Sequence, residues 1–274
     1  MATSEGAGDQ RPEAAAEPEL AAGPEPAGHH GGDPLHELMR LARQVAVGQP
    51  VSARLPGWRR KSRGEPRFPV SISVVVAIVL QLLLPNRLTE PLPHFLLPAL
   101  EGVLLIGLAI ANPVRIERGG KTVRAASIGL ILVITAANAT SAGLLVRVIV
   151  ELLPGAGTAP LLLTSGASVW GTNVIAFALW YWEFDSRGPL NRAQGLVRYP
   201  DLMFPQMTSP ELTPSDWKPH YIDYLYLSFT NATAFSPTDV MPLARWAKLT
   251  MLVQSGVSLV VGALVVARAV NILR

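Results

Sequence analysis

From residue 68 onward the chain alternates between long apolar runs and short polar breaks, and five of the runs are long enough to be read as membrane helices. The first, Phe68 to Leu84, is stopped by Pro85 and Asn86, and the second, Pro93 to Ala111, by Asn112-Pro113. A third covers Ala125 to Leu153, a fourth Leu161 to Trp182, and the last Ala244 to Leu273. A crossing helix needs roughly 20 predominantly apolar residues. The first run is rich in Val and Ile, which in water would favour a strand. Between basic flanks it predicts a helix, because backbone groups in lipid must bond within their own segment. A sixth segment, His220 to Ala234, would be ~22 Å long as a helix, short of a ~30 Å hydrocarbon core. The expected fold is therefore an all-α integral membrane protein. It is a bundle of five to six transmembrane helices, one of them short and pore-helix-like, behind a disordered N-terminal tail.

The polar stretches divide the chain into residues 1–57, 58–67, 68–198, 199–219 and 220–274. The first region opens with an Ala-, Gly-, Pro- and Glu-rich tail through residue 34 that has no aromatic residue. Such a tail cannot bury enough apolar surface to offset the entropy of ordering it. It lacks the basic start and apolar run of a signal peptide. Its adjacent His29 and His30 make a poor metal cage. In LHELMRLARQVAV, Leu35, Leu38, Met39, Ala42 and Val45 recur at helical spacing; this is either a surface-lying amphipathic helix or a marginal helix in the tail. Residues 58–67, WRRKSRGEPR, are a basic run placed to hold the N-terminus in the cytoplasm. Residues 199–219 carry five prolines, from Pro200 to Pro219, and predict irregular backbone.

Composition agrees with the pattern. The chain is 49% hydrophobic and 16% charged, against about 25% charged in soluble domains. The net charge of +3 is too small to imply a nucleic-acid partner. The absence of cysteine excludes disulfides, thiolate metal sites and a cysteine nucleophile. Arg115, Arg118, Lys121 and Arg124, and then Arg187, Arg192 and Arg198, mark two loops as cytoplasmic by the positive-inside rule. The expected location is the bacterial inner membrane. The C-terminus is ambiguous. If residues 220–234 do not cross, Arg268 and Arg274 lie outside; if they do, every basic loop is inside. Satisfying the basic loops favours six helical segments, with the fifth short.

The richest chemistry lies in YLSFTNATAFSPTDVMP, Tyr226 to Pro242, which runs into the last apolar helix. A potassium-channel pore has Tyr and Ser on a short pore helix, then Thr, then a Gly-Tyr-Gly-Asp filter, then Pro. With Asp239 as the filter Asp, Tyr226 falls thirteen residues before it, Ser228 and Pro242 match, and Thr233 matches one threonine. Over about 45 residues the chain thus resembles such a pore. The resemblance implies candidate pore or cavity residues: Tyr226, Ser228, Thr230, Asn231, Thr233, Ser236, Thr238 and Asp239. The Gly-Tyr-Gly positions here read Ser236, Pro237, Thr238. Such filters aim successive carbonyls at the ion, and Pro237 has a fixed φ that cannot reproduce the central position. As a whole, the chain resembles a bacterial multi-pass membrane family whose ending is related to, or converged on, that pore. This implies a fold but no activity.

Other polar groups lie at membrane depth. Glu101, inside the second run, is a candidate charge site, since an intramembrane carboxylate is expensive; the alternative is a shallow or paired glutamate. Arg147 and Glu151 share a helix face and are expected to pair structurally. Asn138, Asn173 and Gln254 are expected to hydrogen-bond between helices. Asp223 and Asp239 flank the short helix; Asp239, ahead of Val-Met-Pro, either caps or anchors the loop or charges a cavity mouth. The sequence holds no phosphate-cradling glycine loop, GxSxG or HExxH, so neither enzymatic activity nor a cofactor is expected. Two readings stand level: a pore or transport protein for small ions or solutes, assembled as a homo-oligomer in the lipid bilayer, and a membrane scaffold whose tail contacts a protein partner. A lipid-directed enzyme would need a polar cluster that the sequence does not present. The scaffold reading predicts that deleting residues 1–57 abolishes function while the membrane core still folds; the pore reading predicts that Asp239, Thr233 and Glu101 face water.

Overall fold

The computed structural model describes residues 55–89, 92–116, 120–151, 158–233 and 239–273, together with Leu35, Leu38, Met39 and Ala42. The rest of the tail, including His29 and His30, lies outside the described residues, as do Ser236 and Thr238. The chain divides into units Met1–Gln49 and Pro50–Arg274. In the first, the four described residues are helical and exposed, at the positions where the apolar spacing predicted a helix.

The second unit is all-α apart from one two-residue strand pair. Its helices are α1 (Phe68–Leu82), α2 (Leu96–Ala111), α3 (Lys121–Val150), α4 (Ala159–Phe184), α5 (Pro189–Gln194), α6 (Pro205–Thr208), α7 (Tyr221–Thr233) and α8 (Arg245–Leu273). Strands β1 (Leu202–Met203) and β2 (Met241–Pro242) pair antiparallel. The stops read in the sequence act locally. Pro69 and Pro160 sit in the first turns of α1 and α4, where a missing N–H costs nothing. Asn112 leaves the helical region ahead of Pro113, as the residue before proline must. Helices α3, α4 and α8 are long and apolar enough to cross a membrane; α1 and α2 are shorter apolar helices.

Polar contacts gather one end of the bundle. Pro66 and Arg115 form a bridge between the start of α1 and the end of α2, flanked by Arg67 N to Val114 O at 3.1 Å and Ile116 N to Glu65 O at 3.0 Å. Arg124, near the start of α3, stands 3.7 Å from Glu183 at the end of α4. This charged end also carries Arg192, Lys218 and Arg245. At the opposite end Leu84, Leu88, Leu145, Ile149, Leu162, Val261 and Val265 form an apolar cluster. Helix α4 is the centre. Seventeen of its residues are buried, and it packs on α1, α3, α7 and α8.

Helix α7 and the strand that follows it both contact the same end of the bundle. The helix starts at the charged end, where Tyr221 packs on Trp182 with ring centroids 6.0 Å apart. It descends along α4 until Ser228 reaches the Val174 carbonyl at 2.6 Å and Phe229 meets Trp170 at 5.5 Å. Val174 is ten residues short of Phe184, a depth of ~15 Å. The chain is then back at the charged end, because β2 pairs with β1 and Leu243 N bonds Asp201 O at 2.9 Å. From there α8 runs the full length, with Trp246 beside Phe184, Ser258 beside Asn173 and Val265 against Gly166. Helix α7 has thirteen residues, and Pro242 is held opposite Leu202 by the strand pairing.

The α4–α8 contact is tight at Gly166, where an added Cβ would lie 2.8 Å from both methyls of Val265. Gly166→Ala is expected to lower stability by about 1–3 kcal/mol, read as thermal unfolding in detergent. Adding Val265→Ala should recover most of the loss; a double variant no better than the single one would argue against this contact.

Candidate functional site

The pore-like residues divide into an inward set that is already partnered and an outward set that is not buried. Ser228 is completely buried. Its hydroxyl donates to Val174 O and accepts from Gln254 Nε2 at 2.7 Å. Gln254, also completely buried, donates to Ser228 O at 2.8 Å and accepts from Tyr181 Oη at 2.7 Å and from Asn231 Nδ2 at 2.8 Å. Asn231 also donates to Met251 O and accepts from Ser255 Oγ. Deeper, Asn173 Nδ2 donates to Ser258 Oγ at 3.0 Å, and Asn138 Nδ2 lies 3.5 Å from Asn173 Oδ1. One amide, Gln254, thus ties α4, α7 and α8 together. Thr230 and Thr233 return their hydroxyls to the carbonyls of Tyr226 and Thr230 within α7, the local bond that helical threonines favour. Tyr226 and Asp239 are exposed. Asp223 accepts from His220 N at 2.7 Å and so caps α7.

The structure sets the remaining predicted residues apart from this hairpin. Glu101 is completely buried between α2 and α1, and both carboxylate oxygens accept from Gln81 Nε2, at 3.0 and 3.1 Å. Arg147 Nε lies 3.0 Å from Glu151 Oε1, on the exposed surface toward the opposite end.

The entrance of the hairpin is a charge cluster that the sequence reading passed over. Arg192, 7% exposed, donates from Nε and Nη2 to Glu65 Oε1 at 3.0 and 2.8 Å. Its Nη1 donates to the carbonyls of Trp182 and Asp185, and its guanidinium lies over the Tyr224 ring at 5.0 Å. Trp182 Nε1 donates to the other Glu65 oxygen at 2.6 Å. Burial alone would lower the Arg192 pKa; Glu65, with Tyr224 and Asp185, reverses this and holds it above its ordinary value. Asp185 accepts from Tyr224 Oη at 2.6 Å and from the Asp201 and Leu202 amides. Lys218 donates to the Arg60 carbonyl; burial lowers its pKa, and Glu65 offsets part of that. The available signals were a lone glutamate in the basic run 58–67 and an aspartate closing the fourth apolar run. Neither spacing reveals that they converge, since Glu65 and Arg192 are far apart in sequence.

Compared with protein-family models, curated proteins and solved structures, the chain matches none. Among the described residues no group of His, Cys, Asp or Glu is placed to hold a metal.

Removing Arg192 would leave Glu65 buried without its cation. Arg192→Met is expected to cost about 3–5 kcal/mol, and Arg192→Met with Glu65→Gln distinctly less than the sum of the two single losses. Chemical or thermal unfolding of the four proteins measures this; additive losses would mean that the pair is not coupled.

Proposed function

We propose that this chain is a multi-pass protein of the bacterial inner membrane and a protomer of a homo-oligomeric pore for small ions or solutes, lacking a potassium filter. The observation that carries this is the course of α7. A long helix ends at the charged end, a half-length helix descends from that end, the chain returns there, and a second long helix then crosses. That order is the geometry of a pore hairpin, with α4 as outer helix and α8 as inner helix. The outward faces suit such an assembly: α7 exposes Ile222, Tyr226 and Phe229, and α8 exposes Leu249, Leu252 and Val253.

The charged end is assigned to the cytoplasm by the positive-inside rule. It gathers Arg67, Arg115, Lys121, Arg124, Arg192 and Arg245, while Arg87, Arg147 and Arg268 lie toward the other end. The hairpin therefore enters from the cytoplasmic side and the C-terminus faces out. Five helices cross and one re-enters. The shortness of α1 and α2 is accommodated by local thinning of the bilayer.

The chain has no cysteine, so single introduced cysteines report sidedness directly. Ser236→Cys and Arg198→Cys are expected to react with an impermeant maleimide only after cells are opened, and Glu151→Cys in intact cells. Reaction of residues 236 and 198 from opposite sides would refute re-entry; reaction of both from outside would invert the orientation. Purified protein in liposomes is then expected to pass small ions without preferring K+ over Na+. If cross-linking finds only monomers and neither ions nor small solutes leak above empty vesicles, the pore reading fails.

A further inference from the structure

On the side of α4 away from the hairpin, α1, α2, α3 and α4 enclose a cavity of about 170 Å³ that opens at the charged end. Its depth is apolar, lined by Val74, Leu105, Leu130, Ile131 and Leu179. Its charged lining residues are Arg67, Arg124 and Arg187 with a single carboxylate, Glu183. Three cations against one anion leave an excess of positive charge at the mouth, with Arg67 buried and Arg124 and Arg187 exposed at the rim.

Two features mark this mouth as built. Arg67 is 8% exposed. It donates from Nη1 to the Leu108 carbonyl, with Nη2 3.5 Å from Leu105 O, yet its Nε is buried with no hydrogen-bond partner. A buried N–H without an acceptor is costly, and an anion entering the cavity would supply one. Arg187 reaches the rim from a turn in which Ser186 and Arg187 hold φ of 55° and 62°, a left-handed region that residues with a side chain rarely occupy. The turn is held there by Asp201 Oδ2, which accepts from Ser186 N at 2.9 Å. Strain retained by a surrounding network is a common mark of a functional site.

We propose that this cavity binds an anionic amphiphile: a phosphate or carboxylate head held by Arg67, Arg124 and Arg187, and an alkyl chain lying between α1, α2 and α3. Guanidinium groups match both heads through paired N–H donors. Basic pockets between membrane helices on the cytoplasmic side are suited to anionic lipid heads. The site rests on the membrane reading and its cytoplasmic assignment but not on the pore, because it shares neither α7 nor α8 with the hairpin, and binding alone tests it.

Native mass spectrometry of the full-length protein in neutral detergent tests it, with dioleoyl phosphatidylglycerol, oleate, dioleoyl phosphatidylcholine and inorganic phosphate as separate probes. Retention of phosphatidylglycerol or oleate as a single adduct is expected, well above phosphatidylcholine; which of the two is retained identifies the head group. Arg187→Gln, which removes a charge from the rim, should weaken retention roughly tenfold, the scale of one charge-assisted hydrogen bond. Ser127→Phe, which fills the cavity from α3, should abolish retention. Where that variant does not elute as folded protein, Arg124→Gln replaces it and should weaken retention. Equal retention of phosphatidylcholine, binding of inorganic phosphate alone, or retention unchanged in the variants would each overturn the proposal.

Discussion

A helix that stops half-way through an apolar bundle carries polar atoms to a depth where no water meets them, so its neighbours must do so. Much of this structure follows from that constraint. Helix α7 brings the hydroxyl of Ser228 and the amide of Asn231 below the charged end, and Gln254 of α8 answers both while also accepting from Tyr181 of α4. Each buried polar group left unpaired costs about 1–3 kcal/mol, a large part of the 5–15 kcal/mol that separates folded from unfolded chains. The requirement explains why α4 is buried so extensively, and why α8 places a fully buried glutamine in an otherwise apolar helix. Hydrophobic packing brings the three helices together, but the amide network sets their register, since sliding one helix by a turn would orphan several donors at once.

At the entrance the same logic applies to charge. Arg192 spreads its donors over a carboxylate and two carbonyls and lays its plane on Tyr224, a set of contacts that the compact ammonium of a lysine could not make. The pair with Glu65 ties the segment before α1 to the short helix after α4. Because desolvation offsets most of the Coulombic attraction in a buried pair, its main effect is positional. It fixes which turn follows α4, and through Asp185 and Tyr224 it fixes where α7 begins. The start of α7 and the unusual turn at Ser186 and Arg187 both hang on this cluster.

Helix α4 therefore stands between two distinct places. Toward α7 and α8 it supports a hairpin in which Ser228, Asn231 and Gln254 are hydrogen-bonded to one another. Toward α1, α2 and α3 it borders a cavity whose cationic mouth exceeds its local negative charge and where Arg67 keeps an unmet donor. The first is a structural unit held by the Gln254 network. The second is an unsatisfied site that suits a ligand.

The helices were legible in the sequence because their signal is local: apolar runs bounded by Pro85, Asn112-Pro113 and Asp185 place the breaks within a few residues of where the chain bends. The pairing of Arg147 with Glu151 rests on helical spacing alone, and so does the cap formed by Asp223. The role of Gln254 was legible only as a type, a polar group expected to bond between helices, since nothing in its spacing names Ser228, Asn231 and Tyr181 as partners. Two things lay beyond the sequence. Charge counting is a sum over the chain and does not place residues 239–243; their position at the charged end is decided by β1 pairing with β2 and by Asp201 holding Leu243, contacts between segments about forty residues apart. Glu65 and Arg192 looked like ordinary members of basic loops, and only the convergence of α1 and α4 makes them a buried pair. By itself the sequence determined which segments are helical and apolar, because that depends on neighbours along the chain. Which end each helix reaches, which polar groups are answered and which are left waiting were decided by tertiary structure, because those depend on neighbours in space.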